Sequence, residues 1–245
     1  MKSPKKSILN VSTLIIGASI LFWIILIFDP LNFLNGQSCH VSADATASIS
    51  FSGLMIGWVI MVLAMMLPKL ISPIEDICQS SLKRKRVSSS LLFIGGYTLV
   101  WTLVGILMNL IILEVNKSMP GSYLPAIIIG SIALVWQFSP IKQRFLNLGH
   151  DHRTIKAFGT AADIDALKFG VEHGLWCLGS GWAIMWFPML LPIGHNLAML
   201  LVMFIMVSEH MEHPQKPAWR LDFRMKLWRI IKAQTKIKLG YSLYS

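Results

Sequence analysis

Six long apolar stretches, separated by short polar segments, organise this chain. They are apolar all round rather than striped, the pattern of helices surrounded by lipid or by other helices. Most approach or exceed the ~20 residues needed to cross a bilayer. The pattern predicts helices over residues 8–28, 49–71, 91–113, 123–138, 166–191 and 195–211. Asp29-Pro30 ends the first, Pro68 lies near the inner end of the second, and Pro192-Ile193-Gly194 turns the chain between the last two. The first run is too long for the 7–15-residue core of a secretory signal, so it is expected to be retained as a span.

Beyond the sixth stretch the pattern changes. Leu221, Phe223, Met225, Leu227, Trp228, Ile230 and Ile231 share one broad arc of a helix advancing about 100° per residue. Asp222, Lys226, Arg229, Lys232 and Lys236 take the other. Such a helix lies in the headgroup plane. The expected fold class is therefore all-α: a polytopic membrane protein with a six-helix transmembrane domain over 1–213 and a basic amphipathic cytoplasmic tail over 214–245.

Composition and charge agree. Hydrophobic residues make up 54% of the 245 and charged residues 14%, with a mean hydropathy of +0.61; soluble domains carry roughly 25% charge. Of the 22 Lys and Arg residues, all but Lys117 fall on one side of the six-helix topology. The positive-inside rule makes that side cytoplasmic and puts both termini there, as in a bacterial inner-membrane protein. The net charge of +10 is what short cytoplasmic loops and anionic headgroups favour, so the lipid bilayer is the expected partner, together with other membrane subunits, and nucleic acid is not. Three cysteines, Cys39, Cys78 and Cys177, are too few for a disulfide framework.

Candidate chemistry collects at the cytoplasmic side. His173 and Cys177 are four residues apart and stack on one helix face, flanked by Gly170, Gly174, Ser180 and Gly181. Small residues let a neighbouring helix approach closely, so that face offers tight packing, an N/S ligand pair, or both. The last apolar stretch carries His195, Asn196, Met199, Met203, Met206, His210 and His213 within about 100° of one another, with Glu209 beside them. Fourteen methionines are many for this length; Met61, Met65 and Met66 add to the set. Methionine is an adaptable packing residue and also a soft ligand for copper(I). The inner loop from Pro140 to Asp165 contributes His150, Asp151 and His152. Imidazole, carboxylate and thiolate together favour a transition metal, copper or zinc, over an acid/base pair; no organic cofactor signature is present. Cys39-His40 and His195-Asn196 offer a smaller pair of candidates on the outer side.

No Ser-His-Asp order, phosphate loop or C-x-x-C motif occurs. The chain reads as a non-enzyme unless Glu172 or Glu209 serves as base toward a metal-bound water. Ranged against metal handling is a non-catalytic scaffold or assembly subunit of a larger membrane complex, with the glycine face and the basic tail as its contacts.

Several segments together resemble a known family. Trp58, Met61, Ala64, Met65, Met66 and Pro68 follow a W-x-x-M-x-x-A-M-M-x-P pattern, Gly96, Tyr97 and Trp101 a G-Y-x-x-x-W pattern, and Gln137, Pro140 and Lys142 a Q-x-x-P-x-K pattern. Gly170, His173, Gly174, Cys177, Gly179 and Trp182 follow G-x-x-H-G-x-x-C-x-G-x-x-W. Spread over residues 58–209, these resemble the bacterial predicted metal-binding integral membrane proteins, a family of unknown function. The resemblance implies metal binding. It also shows departures: where that family places two cysteines in C-L-x-x-C, this chain has Phe145 and Gly149, followed by His150 and His152. Ser180 and Gly181 replace two more cysteines after Cys177. The expected metal site comprises His173 and Cys177 as principal ligands, completed from His210, Glu209, His150, His152, His213 and Met65. The expected function is handling of a soft transition metal, copper before zinc, by binding, delivery or transport.

Overall fold

A computed structural model describes residues 4–28, 51–150, 156, 159–221 and 224–242, and they are helical throughout their regular structure. In chain order the helices are α1 (Pro4–Phe28), α2 (Phe51–Met66), α3 (Ile71–Ser80), α4 (Arg86–Ser118), α5 (Leu124–Gln137), α6 (Pro140–Leu148), α7 (Gly159–Met189), α8 (His195–His210) and α9 (Lys226–Ser242).

The prolines set the local departures from regular helix. A single 3₁₀ turn over Leu67–Leu70 joins α2 to α3, and Pro68 sits at its start. A proline has no N–H for the carbonyl four residues earlier, which here is Ala64. Ser19 of α1 donates its hydroxyl to that carbonyl at 2.7 Å. The break in α2 is thus satisfied by a neighbouring helix, which fixes α1 against it. Ser12 hydrogen-bonds Glu75 further along the same pair, so α1 runs antiparallel to α2 and α3. Ser139 caps α6, its hydroxyl accepting from the Ile141 N–H at 3.1 Å, with Pro140 in the first turn.

At the centre α4 and α7 lie side by side and parallel. A methyl group on Gly170 would stand 2.1 Å from the Phe93 carbonyl oxygen; one on Gly96 would stand 2.5 Å from the Leu167 carbonyl. Gly174 faces Val100 and the Tyr97 carbonyl. Each helix thus uses glycine where the other's backbone approaches, a small-residue interface of the kind that membrane helices favour. The other helices pack around this pair. Trp58 of α2 is fully buried against Gly105 and donates its indole N–H to the Trp101 carbonyl at 2.8 Å. Trp136 of α5 donates to the Gly179 carbonyl at 3.1 Å, and α8 lays Met206 over Gly181.

Outward faces of α1, α4, α5 and α8 carry exposed Leu14, Phe28, Leu103, Leu107, Ile127, Val135 and Leu197. Apolar surface of that extent is covered by lipid or a partner in a stable protein. The expectation of six membrane spans is corrected. Among the described residues three helical segments are long and apolar enough to cross a bilayer: Val11–Phe28, Phe51–Ser80 and Arg86–Ser118. A fourth arises if α5 and α6, bent by 70° at their junction, count as one span. The causes are local. The predicted fourth span breaks at Pro140, leaving 14 residues in α5, about 21 Å of helix. α8 has 16 residues, again short of a ~30 Å hydrocarbon core. α7 has 31 residues but carries Asp163, Asp165, Lys168, Glu172 and His173 in its first half. The second span, expected to end near residue 71, passes through its 3₁₀ turn and continues to Ser80. The inner loop expected from Pro140 begins as α6. Among the described residues the tail is regular helix from Lys226; residues 222 and 223 of the expected amphipathic helix lie outside the described residues.

The α4–α7 contact makes a sharp prediction. Gly170→Ala forces a Cβ into the Phe93 backbone and is expected to cost at least 1–3 kcal/mol, the range for overpacking. Gly95→Ala, with nothing within 4 Å, is expected to be neutral or to gain up to ~1 kcal/mol from helix propensity. Thermal unfolding of the two variants in detergent checks the pair; equal midpoints would contradict the packing described.

Candidate metal site

On the α4-facing side of α7, Cys177 and His173 lie one turn apart and both are buried. The Cys177 sulfur accepts two hydrogen bonds. Lys69 Nζ donates from 3.3 Å and the Tyr97 hydroxyl from 3.1 Å. Lys69 comes from the 3₁₀ turn that Pro68 imposes, and it is only 5% exposed. Tyr97 is delivered by Gly96, which brings α4 against α7 at that level.

His173 sits in an aromatic cage. The rings of Phe93, Tyr97, Phe169 and Trp176 have centroids 5.8–6.2 Å from its own. His210 of α8 stands edge-on at 6.1 Å. His173 Nδ1 is buried with no hydrogen-bond partner. A buried polar atom without a partner is costly and calls for a reason; a lone pair kept for a ligand is one. A cavity of about 270 Å³ lies beside it, lined by Ser72, Pro73, Asp76, His150, Phe169, His173 and His210 among others.

His150 stacks on His210 at 5.2 Å. Its Nδ1 lies 2.8 Å from the Leu146 carbonyl and its Nε2 2.9 Å from the His210 carbonyl. Carbonyls only accept, so in this arrangement neither nitrogen turns a lone pair to the cavity. His150 joins the end of α6 to the end of α8, and would have to rotate to meet a metal. Asn147, one turn earlier, holds the backbone of Gln215 through reciprocal bonds of 2.7 and 3.2 Å, closing the same rim.

Glu209 is committed elsewhere. Its carboxylate is buried, accepts from Lys142 Nζ at 2.9 Å and also accepts from the Gln137 amide. Lys142 donates in turn to Gln137 Oε1 at 2.6 Å. The Q-x-x-P-x-K segment is thereby explained as a lock: Pro140 makes the bend, and Gln137 and Lys142 on either side of it clasp α8 through one carboxylate. Removing one partner of a buried pair strands the other's charge.

The structure thus brings His173, His210 and His150 to the lining of one cavity, with Cys177 one turn along α7 from His173; His150 also borders a smaller pocket with Glu209 and His213. Met65 is buried in the α2 core. His213 is exposed beyond the end of α8. His152, Asp151, Cys39 and His40 lie outside the described residues. His195 Nδ1 hydrogen-bonds the Pro188 carbonyl at 2.8 Å, tying the start of α8 to the end of α7. Met203 accepts from the Trp23 indole at 3.3 Å. Among the described residues no three His, Cys, Asp or Glu side chains converge to hold a metal ion. What the described residues offer is narrower: one buried sulfur and, one turn away on the same helix, one unpartnered imidazole nitrogen, donor types that suit a soft cation. Of the two side chains on that sulfur, sequence reasoning passed over Lys69 and met Tyr97 only as a motif residue. An ionisable residue inside an apolar run is a functional signal by default, and Lys69 is one.

The class is therefore a helical protein with bilayer-length apolar helices and a buried thiol–imidazole pair near its basic end. Residues 55–222, well over half of the chain, match the family model of PpoB2, a copper chaperone family, and the chain belongs to that family. The motif resemblance had pointed instead to the predicted metal-binding integral membrane proteins; metal handling is common to the two. No curated protein and no solved structure matches the chain.

The lock at Glu209 is testable. Glu209→Gln leaves Lys142 buried without its counter-charge and is expected to destabilise the protein by roughly 3–5 kcal/mol. A Lys142→Met/Glu209→Met double variant is expected to recover most of that loss. Unfolding midpoints in detergent decide it, and a double variant worse than the single would contradict the pairing.

Proposed function

We propose that the protein binds copper(I) as cargo at the cytoplasmic end of α7, with Cys177 and His173 as its ligands, and passes it on. The observation that carries this reading is the pairing on one buried helix face of a sulfur and a partnerless imidazole nitrogen. Copper(I) accepts low coordination by soft donors, so two ligands suffice where zinc normally takes four. Membership of a copper chaperone family supports the choice of metal.

The cavity beside His173 is the route in. His210 forms its wall and His150 its rim, so an incoming ion meets imidazole first and sulfur last. Glu209 holds α8 in place through Lys142. The charge asymmetry of the loops supports an inner-membrane location with both termini cytoplasmic, where the basic face of α9 would rest on anionic headgroups.

The expected outcome is stoichiometric copper(I) binding by the detergent-purified chain under reducing conditions, read by competition with a chromophoric copper(I) chelator. His173→Ala/Cys177→Ser is expected to weaken it by 100-fold or more, on the order of the loss expected when metal ligands or their supports are removed. Unchanged affinity in the double variant would overturn the assignment.

A further inference from the structure

Lys69 is the unusual member of the site. Among the described residues its ammonium is the only basic group hydrogen-bonded to Cys177, it is buried, and the Cys177 sulfur is its hydrogen-bond acceptor. Chaperone chemistry needs a thiolate and an imidazole; it does not need a fixed cation 3.3 Å from the sulfur. A cation there opposes every metal ion that approaches, and the opposition grows with the metal's charge, because Coulomb energy is linear in each charge.

We propose that Lys69 sets the charge selectivity of the site, tolerating a monovalent ion on Cys177 and rejecting divalent ones. The inference rests on Cys177 being a metal ligand. A ligating cysteine is a thiolate, so with a neutral imidazole and the ammonium the donor set carries no net charge. Copper(I) raises the buried charge to one and zinc(II) raises it to two, and burying uncompensated charge is costly. Of the nearby carboxylates, Glu209 already serves Lys142 and Asp163 serves Lys85 at 2.9 Å; Asp76 borders the cavity beside His173 and is the same in every Lys69 variant, so a change in the metal ratio reads Lys69 itself. Ligand softness alone does not separate copper(I) from zinc(II), since thiolate and imidazole bind both. Lys69 supplies the missing discrimination.

The test compares copper(I) and zinc(II) affinities of the full chain with Lys69→Leu, Lys69→Gln and Lys69→Arg. Loss of the ammonium changes the cost of forming the thiolate, but that change is common to both metals and cancels in their ratio. At 4–6 Å and an effective dielectric constant near 20, one further unit of charge on the metal corresponds to roughly 100-fold or more. Zinc(II) affinity is therefore expected to rise relative to copper(I) by roughly 100-fold in Lys69→Leu and in Lys69→Gln. Lys69→Arg keeps the charge and is expected to hold the ratio near its original value. Two neutral variants are included so that a folding defect in one leaves the comparison intact. An unchanged ratio in both, or an arginine variant that shifts as far as the neutral ones, would overturn the proposal. Cys177→Ser separates the layers: if it abolishes copper(I) binding while the Lys69 variants leave the ratio unmoved, only the selectivity claim fails. If it leaves copper(I) affinity intact, the ligand assignment fails and the selectivity claim with it.

Discussion

The close approach of α4 and α7 is the constraint on which the rest depends. Gly96 and Gly170 each face a backbone carbonyl of the opposite helix, and no larger residue fits at either point without separating the pair. The approach sets the level at which Tyr97 reaches Cys177 and at which Phe93 and Tyr97 close around His173. The glycines, the tyrosine, the histidine and the cysteine thus form one unit. Helix packing and ligand placement are two results of the same contact, because the small-residue face of α7 is also the face that carries its sulfur and its imidazole.

Around that contact the buried polar groups divide into two kinds. Gln137, Lys142 and Glu209 satisfy one another and hold the α5–α6 bend against α8; buried networks are stable when each member has a partner. Lys69, Cys177 and His173 do not close in that way. Lys69 and Tyr97 both donate to one sulfur, while His173 Nδ1 has no partner. A closed network builds the scaffold, and an incomplete one, with His173 beside a cavity, is where the proposed cargo ion would sit. The same contrast explains why carboxylates are absent from the proposed ligand set although they are numerous at that end of the molecule.

Much of this was legible in the sequence, and the illegible parts have physical causes. The all-helical class followed from apolar runs that periodicity and length identify well. The number of bilayer-length helices did not, because one residue, Pro140, splits a run whose composition reads as a single span, and because a 16-residue α8 and a charge-bearing α7 look like full spans in a count of apolar residues. The His173–Cys177 pairing was legible from a spacing of four. The fate of Glu209 was not: its partner Lys142 is 67 residues away, and only the folded bend at Pro140 brings the two together. Lys69 was hidden in plain view, a single cation beside a proline at the end of an apolar run. Its acceptor lies 108 residues downstream.

The central claim is that copper(I) sits between the Cys177 sulfur and the His173 nitrogen. X-ray absorption at the copper edge of the loaded protein tests it most directly, because sulfur and nitrogen scatterers are distinguished in one spectrum. The account predicts a low-coordinate site with one short sulfur and at least one imidazole, and loss of that sulfur in Cys177→Ser while other thiols and thioethers remain. A spectrum of nitrogen and oxygen neighbours alone, or a sulfur contribution that survives in Cys177→Ser, would contradict it.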